Sequence, residues 1–273
     1  MRRALTLADR RLSFLEGGAG EPLLLVHAFP LTADLWRPQL DAPPAGWRLV
    51  APDLRGFGEA SGASPARTVD DHVDDLVELL DALSIEQAVV GGVSMGGYIA
   101  FALWRRAPER ILGLVLADTR AEPDTDEARA GRGEMQREVR EKGATAVADR
   151  MVPRLLGAAA QRRTGLVEGV RRMIESASPE AIVNALECLM ARPDSVPTLA
   201  TITCPTLVVV GDEDEITPPA GARSMAAAIA GARLAVIPGA GHLSSLEQPE
   251  AFNVEVGAFL GSLGAGRSAG GHA

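Results

Sequence analysis

Cysteine is scarce in this chain of 273 residues: Cys188 and Cys204 are the two. Two cysteines make no disulfide framework, and neither sits in a C-x-x-C pair that would suggest zinc. Histidine is nearly as rare, with only His27, His72, His242 and His272, so candidates for proton transfer are few. No apolar run is long enough to cross a bilayer. At the N-terminus, Ala4 to Ala8 is too short for the core of a secretory signal before Asp9-Arg10-Arg11. Positive charge is in deficit. A formal net charge of −9 argues against an electropositive groove for nucleic acid. The pairs Arg105-Arg106, Arg162-Arg163 and Arg171-Arg172 therefore read as solvated helix faces. No phosphate-binding G-x-x-x-x-G-K-[ST] occurs. Gly56-Phe57-Gly58 follows a strand pattern, but Ser61 stands where a dinucleotide fingerprint needs its third glycine. The expectation is a cytoplasmic protein with no nucleic-acid or membrane partner, no metal and no cofactor.

What is present is a core. The chain is 47% hydrophobic and 23% charged, enough for one sizeable core with an inserted subdomain. One stretch organises it, Ala88 to Arg106. Ala88-Val89-Val90-Gly91-Gly92-Val93 is apolar without polar alternation, as in a strand buried on both faces. From Met95 to Arg106 the chain reads as a helix that ends near Pro108. Between them lies Gly92-Val93-Ser94-Met95-Gly96, a G-x-S-x-G pentapeptide in a strand–turn–helix setting. Glycines at 92 and 96 let strand and helix crowd together there.

Taken in order, residues 5–16 suggest a leading hairpin. Strands follow at Leu23–Val26 and Arg48–Ala51, with a short element from Ala33 to Leu40 between them. Thr68 to Leu83 is a helix capped by Thr68 and Asp71, with Val73, Leu76, Val77, Leu80 and Leu83 on one face. His72, among Asp70, Asp71, Asp74 and Asp75, reads as part of a solvated acidic face. Leu112 to Ala117 is a strand ending at Asp118. Residues 120–198 then lack any strand pattern and read as helices punctuated by Gly131, Gly133, Gly143, Pro153 and Pro179, among others. Strands return at Thr206–Val210 and Leu234–Ile237, with helices at Pro219–Ile229 and Pro249–Leu263. The expected organisation is a core at 1–119 and 199–263, a helical cap at 120–198 and a disordered Gly/Ser/Ala tail at 264–273 that includes His272. Alternating apolar strands and helices imply an α/β fold, a mostly parallel sheet covered on both faces. Right-handed crossovers bring His27–Pro30, Ser94, Asp118, Asp212–Asp214 and His242 to one sheet edge.

A serine hydroxyl is a weak nucleophile until a base, usually an oriented histidine, takes its proton. His242, flanked by Gly239 and Gly241, is the candidate base. The orienting acid is expected between nucleophile and base. Asp212-Glu213-Asp214-Glu215 qualifies, spacing does not choose among the four, and Asp118 is an outsider at another strand end. An oxyanion site needs two backbone N–H donors. Met95 offers one and Phe29, in His27-Ala28-Phe29-Pro30, the other, since Pro30 has none.

On His27-Ala28-Phe29-Pro30, Asp53-Leu54-Arg55-Gly56-Phe57-Gly58, Gly92-Val93-Ser94-Met95-Gly96-Gly97, Gly211-Asp212-Glu213-Asp214 and Gly241-His242, the chain resembles serine hydrolases of the α/β-hydrolase superfamily. Residues 20–262 carry the likeness. It is most similar to small microbial carboxylesterases and 3-oxoadipate enol-lactonases, which share an Asp-Thr-Arg, here 118–120, at the start of the cap. The resemblance implies a sheet of about eight strands with the cap after the sixth. It implies Asp214 as the acid, because the family acid closes G-x-x-D. It implies a Ser94/Asp214/His242 triad hydrolysing short-chain carboxylic esters without metal or cofactor. Lactone opening or another cofactor-free hydrolase-fold activity, carbon–carbon bond cleavage or perhydrolysis, and a ligand-binding protein with slow turnover, are the alternatives. One departure is Ala28, where the family has glycine after histidine. No Phe, Trp or Tyr occurs from 120 to 198, so the cap would offer Met135, Met151, Leu155, Leu156 and Met190 as pocket lining. Arg120 and Arg129 are expected to face solvent.

Overall fold

A computed structural model describes residues 1–7, 9–62 and 64–268. An antiparallel hairpin, β1 (Arg2–Thr6) and β2 (Arg10–Gly18), leads the chain. Then come β3 (Glu21–Val26), α1 (Arg37–Asp41), β4 (Trp47–Pro52) and a two-residue β5 (Ser61–Gly62) paired with β2. Next are α2 (Val69–Ala82), β6 (Ala88–Val93), α3 (Met95–Arg106) and β7 (Ile111–Ala117). Between β7 and the following strand the chain is helical, with α4 (Asp126–Lys142), α5 (Ala144–Leu155), α6 (Thr164–Glu175), α7 (Pro179–Ala191) and α8 (Val196–Leu199). It closes with β8 (Thr206–Gly211), α9 (Pro219–Ala228), β9 (Arg233–Ile237), α10 (Ser244–Glu247) and α11 (Pro249–Ser268).

The strand order is β1-β2-β4-β3-β6-β7-β8-β9, eight strands besides β5. From β4 through β9 the neighbours on this path are parallel, while β2 meets β4 antiparallel. Every residue of β6 and of β8 is buried, as their unbroken apolar runs require of strands covered on both faces. Because these strands are parallel, the residues that follow β3, β6, β7, β8 and β9 share one edge of the sheet. The helices α4 to α8 leave after β7, the sixth strand when β5 is set aside.

Local chemistry explains most boundaries. Thr68 and Asp71 close a capping box at the start of α2, each side chain accepting the other's backbone N–H. Gly143, at φ 78°, ends α4, and Pro179 stands in the first turn of α7. Three sequence breaks do not break anything: Gly131 and Gly133 lie inside α4 and Pro153 inside the last turns of α5. Tertiary packing carries those helices past a weak local signal.

His72 departs from its expected place. It is 1% exposed, turned inward with Val69, Val73, Leu76 and Leu79, its i−3, i+1, i+4 and i+7 neighbours. Neither ring nitrogen has a hydrogen-bond partner, and burial pushes its pKa down to about 3. Helical periodicity decided its side: Asp70 and Asp74 face solvent, while Asp75 at i+3 is buried too, paired with Arg10 and Arg55. The last helix also runs past Leu263 to Ser268. His272 and the rest of the expected tail, 269–273, lie outside the described residues.

Candidate active site

At the end of β6 the chain turns from strand to helix at one residue. Ser94 has φ 54° and ψ −112°, a left-handed backbone that an L-residue adopts only under constraint. Ala117 and Thr119, at the end of β7, supply it: the Ser94 N–H donates to the Ala117 carbonyl and the Thr119 hydroxyl to the Ser94 carbonyl, at 3.0 and 2.8 Å. The glycines around it are obligatory. A Cβ on Gly92 would lie 2.3 Å from the Gly96 carbonyl carbon, and one on Gly96 would lie 2.3 Å from the Val26 oxygen. Gly97, outside the pentapeptide, is equally constrained, its Cβ position being 2.4 Å from Thr119 Oγ1.

His242 follows β9 and is 2% exposed. Its Nδ1 lies 2.9 Å from Asp214 Oδ2. Asp214 Oδ1 accepts the backbone N–H groups of Ile216 and Thr217 at 2.8 and 2.9 Å, and Oδ2 also accepts the Thr217 hydroxyl at 2.5 Å. Burial works to raise the Asp214 pKa. The His242 charge and hydrogen bond, with the Thr217 donors, outweigh it and hold the carboxyl below its ordinary value. The other carboxylates, indistinguishable by spacing, go elsewhere. Asp212 accepts the Gly239 N–H at 2.7 Å and Glu213 the Ala158 N–H at 2.7 Å. Asp118 accepts the Gly211 and Ser244 N–H groups and the Ser244 hydroxyl, at 2.9, 3.0 and 2.6 Å. Burial, with the Asp214 charge adding to it, pushes the Asp118 carboxyl up to about 7.

The loop after β3 is held by two groups whose roles its sequence did not reveal. His27 is fully buried. Its Nε2 accepts the Leu54 N–H and its Nδ1 lies 2.9 Å from the Ala28 carbonyl, so the proton sits on Nδ1 and the ring is neutral. Burial lowers its pKa, in keeping with that form. Asp53 accepts the Ala33 N–H at 2.9 Å and the Glu59 N–H at 3.2 Å, and Arg2 reaches in from β1 to pair with it. Phe29 and Met95, the expected donors, are both buried. Among the described residues, neither backbone N–H enters a backbone hydrogen bond.

The helices after β7 touch this same edge. The Leu155 carbonyl, at the end of α5, accepts the His242 N–H at 3.0 Å. A cavity of about 660 Å³ opens between α6, through Leu166, Val170 and Met173, and Thr32 and Leu246 of the core. It begins three residues past Phe29 and four past His242 without including Ser94 or His242. Met135, Leu155 and Leu156 pack instead into the hydrophobic core. Arg129 is half-exposed beside Asp126, while Arg120 turns away from solvent and donates to the Ile216 carbonyl in the Asp214 loop. Among the described residues no three His, Cys, Asp or Glu side chains are grouped to hold a metal ion, and no helix is long and apolar enough to cross a membrane.

Strand order, elbow and edge loops together define a hydrolase class, and comparison with known proteins agrees. The family model for the alpha/beta hydrolase fold matches residues 21–249, and the chain belongs to that family. It is similar to the solved structure of a thermophilic esterase from Thermogutta terrifontis, with 38% identity and a TM-score of 0.89 over 96% of this chain and 99% of that one. It is also similar to an enol-lactonase from Burkholderia xenovorans LB400, with 28% identity and a TM-score of 0.87 over 94% and 99% of the two chains. Among curated proteins, 3-oxoadipate enol-lactonase 2 of Acinetobacter baylyi is 30% identical over 94% of this chain and 95% of its own. The protein is thus an α/β-fold hydrolase with esterase and enol-lactonase relatives.

Proposed function

We propose that this hydrolase is a serine carboxylesterase acting on small, short-chain carboxylic esters. Ser94 Oγ attacks the ester carbonyl while His242 takes its proton. Asp214 holds the imidazolium that forms. The Phe29 and Met95 N–H groups donate to the oxyanion of the tetrahedral intermediate. Collapse expels the alcohol, which takes the proton from His242. Water then adds to the acyl-enzyme with His242 again as base, and the acid leaves with Ser94 restored. The chemistry asks nothing of a metal or cofactor.

The observation that carries this reading is the buried His242–Asp214 pair at 2.9 Å, on the sheet edge where Ser94 occupies its strained turn. Lactone opening follows the same steps, and the enol-lactonase relatives favour it. A carboxylated lactone, however, asks for a free cation. Arg120 is spent on the Ile216 carbonyl and Arg129 is an exposed residue beside Asp126, so neither offers it, which favours a neutral ester. Arg172 in the cavity lining is the remaining arginine for the lactonase reading. Both cysteines are unpaired, in keeping with a reducing, cytoplasmic setting.

The test is a phosphonate or sulfonyl fluoride. Mass spectrometry is expected to find the adduct on Ser94, and Ser94→Ala to lose on the order of 10⁴–10⁶ in kcat toward p-nitrophenyl esters. An adduct on a different serine, or a fully active Ser94→Ala, overturns the proposal.

A further inference from the structure

Every backbone N–H from Gly241 to Ser244 has an acceptor, two of them on the Glu247 side chain at the end of the turn that follows. The His242 N–H goes to the Leu155 carbonyl at the end of α5. Gly241 and Leu243 donate to the two oxygens of Glu247, at 3.1 and 3.0 Å. Ser244 donates to Asp118 at 3.0 Å. Glu247 is 1% exposed, and its Oε2 accepts a third N–H, that of Gly157 just past α5, at 2.7 Å. One buried carboxylate thus joins the His242 loop to the helical segment. The fit leaves no slack. A Cβ on Gly241 would lie 2.4 Å from the Gly157 nitrogen, and a Cβ on Gly157 would lie 2.9 Å from the Gly241 nitrogen. Glu213 repeats the arrangement from the Asp214 loop by accepting the Ala158 N–H. An ionised carboxylate suits this place because both its oxygens accept and neither donates.

We propose that Glu247 is a positioning residue for His242, and that it acts by clamping the His242 loop to the turn at 155–158, making that turn a fixed wall of the site. This rests on the reading of His242 as the base. The imidazole has to reach Ser94 and then the departing oxygen, and a misplacement of about 1 Å costs on the order of 10²-fold in rate. The clamp also sets charge. His242 faces Asp214 directly, while Asp118 at the end of β7 and Glu247 on α10 act on it through their charges once ionised, burial raising both of those carboxyls above their ordinary values. From the helical side, Arg163 donates to the Glu247 main-chain carbonyl at 2.7 Å. A nearby anion favours a protonated imidazole. Neutralising Glu247 therefore moves the acid limb of the rate profile to lower pH.

The experiment compares wild type, Glu247→Gln, Gly157→Ala and Ser94→Ala by kcat, KM, the pH profile of kcat/KM and thermal unfolding. Glu247→Gln is expected to lose about 10- to 100-fold in kcat, with KM within about twofold and the acid limb shifted to lower pH. Gly157→Ala keeps the carboxylate but forces the turn at 155–158 away from the His242 loop. It is expected to lose kcat with the acid limb in place. A folded Glu247→Gln with wild-type kcat overturns the proposal. So does a kcat loss with an unmoved acid limb, which would mark Glu247 as scaffold only. If Glu247→Gln does not fold, Gly157→Ala decides alone, and wild-type kcat there overturns the clamp. A fully active Ser94→Ala would instead sink the acyl-enzyme reading on which the proposal stands.

Discussion

Asp214 and Asp118 lie at neighbouring strand ends, yet their partners differ in a way that assigns different consequences to their loss. Asp214 spends one oxygen on backbone donors and shares the other between Thr217 and His242. Asp214→Asn places an amide donor where the ring N–H points, and about 10⁴ in kcat is the expected loss. Asp118 touches Gly211 and Ser244 but not the ring. Asp118→Asn is expected to lower the melting temperature and to cost at most about tenfold in kcat. Equal damage from the two, measured side by side, would move the acid to β7. His72 gives a second prediction at this scale. Its folded pKa of about 3 is below the ordinary 6.5, so the unfolded chain takes up the proton first. Stability contributed by the neutral ring is full above about 6.5 and is lost as pH falls toward 3. At pH 5 the loss is about 2 kcal/mol. His72→Leu removes both the titration and two orphaned nitrogens. Urea unfolding should show the variant gaining on wild type between pH 8 and pH 5, and parallel pH dependence would refute the assignment.

Under the proposed esterase reading, helices α4 to α8 would limit what reaches the edge where Ser94 sits. Their contact with it is made by the end of α5, which is bonded to the His242 loop. Helix α6 faces the 660 Å³ cavity with Leu166, Val170 and Met173. Those three side chains offer dispersion and burial, while Arg172 of the same helix and Arg2, Asp34, Arg37 and Glu59 of the core bring charge to the rest of the lining. Each acyl methylene that fits adds up to about 0.8 kcal/mol, until the roof is met. Across acetate, butyrate, octanoate and palmitate p-nitrophenyl esters, kcat/KM is expected to peak at roughly C2 to C6. A maximum at palmitate would mean an open site and would sink the roof. Rapid opening of a carboxylated lactone with poor ester turnover would promote the lactonase reading. Helix interiors were also where sequence signals misled. Gly131, Gly133 and Pro153 looked like breaks and are not, because packing against neighbouring helices outweighs about 1 kcal/mol of propensity at each glycine and about 3 kcal/mol at the proline.

For the molecule as a whole, the sequence by itself determined the α/β alternation, the parallel sheet and the Ser94 elbow. All three are local patterns: apolar runs of strand length, helix caps, and glycines where backbones touch. The resemblance implies Asp214 as the acid through its position in Gly211-Asp212-Glu213-Asp214, and Asp214 is the carboxylate that meets the His242 ring. Only the tertiary structure decided which backbone groups each carboxylate meets. Asp118, Asp212, Glu213, Asp214 and Glu247 look alike as letters, but the fold sends them to Ser244, Gly239, Ala158, His242 and Gly157. It also decided that His72 turns inward and that Arg120 is spent on a carbonyl. Hydrogen bonds act over about 3 Å and only along narrow directions. Their partners therefore depend on how segments far apart in the chain come together, which no stretch of sequence contains.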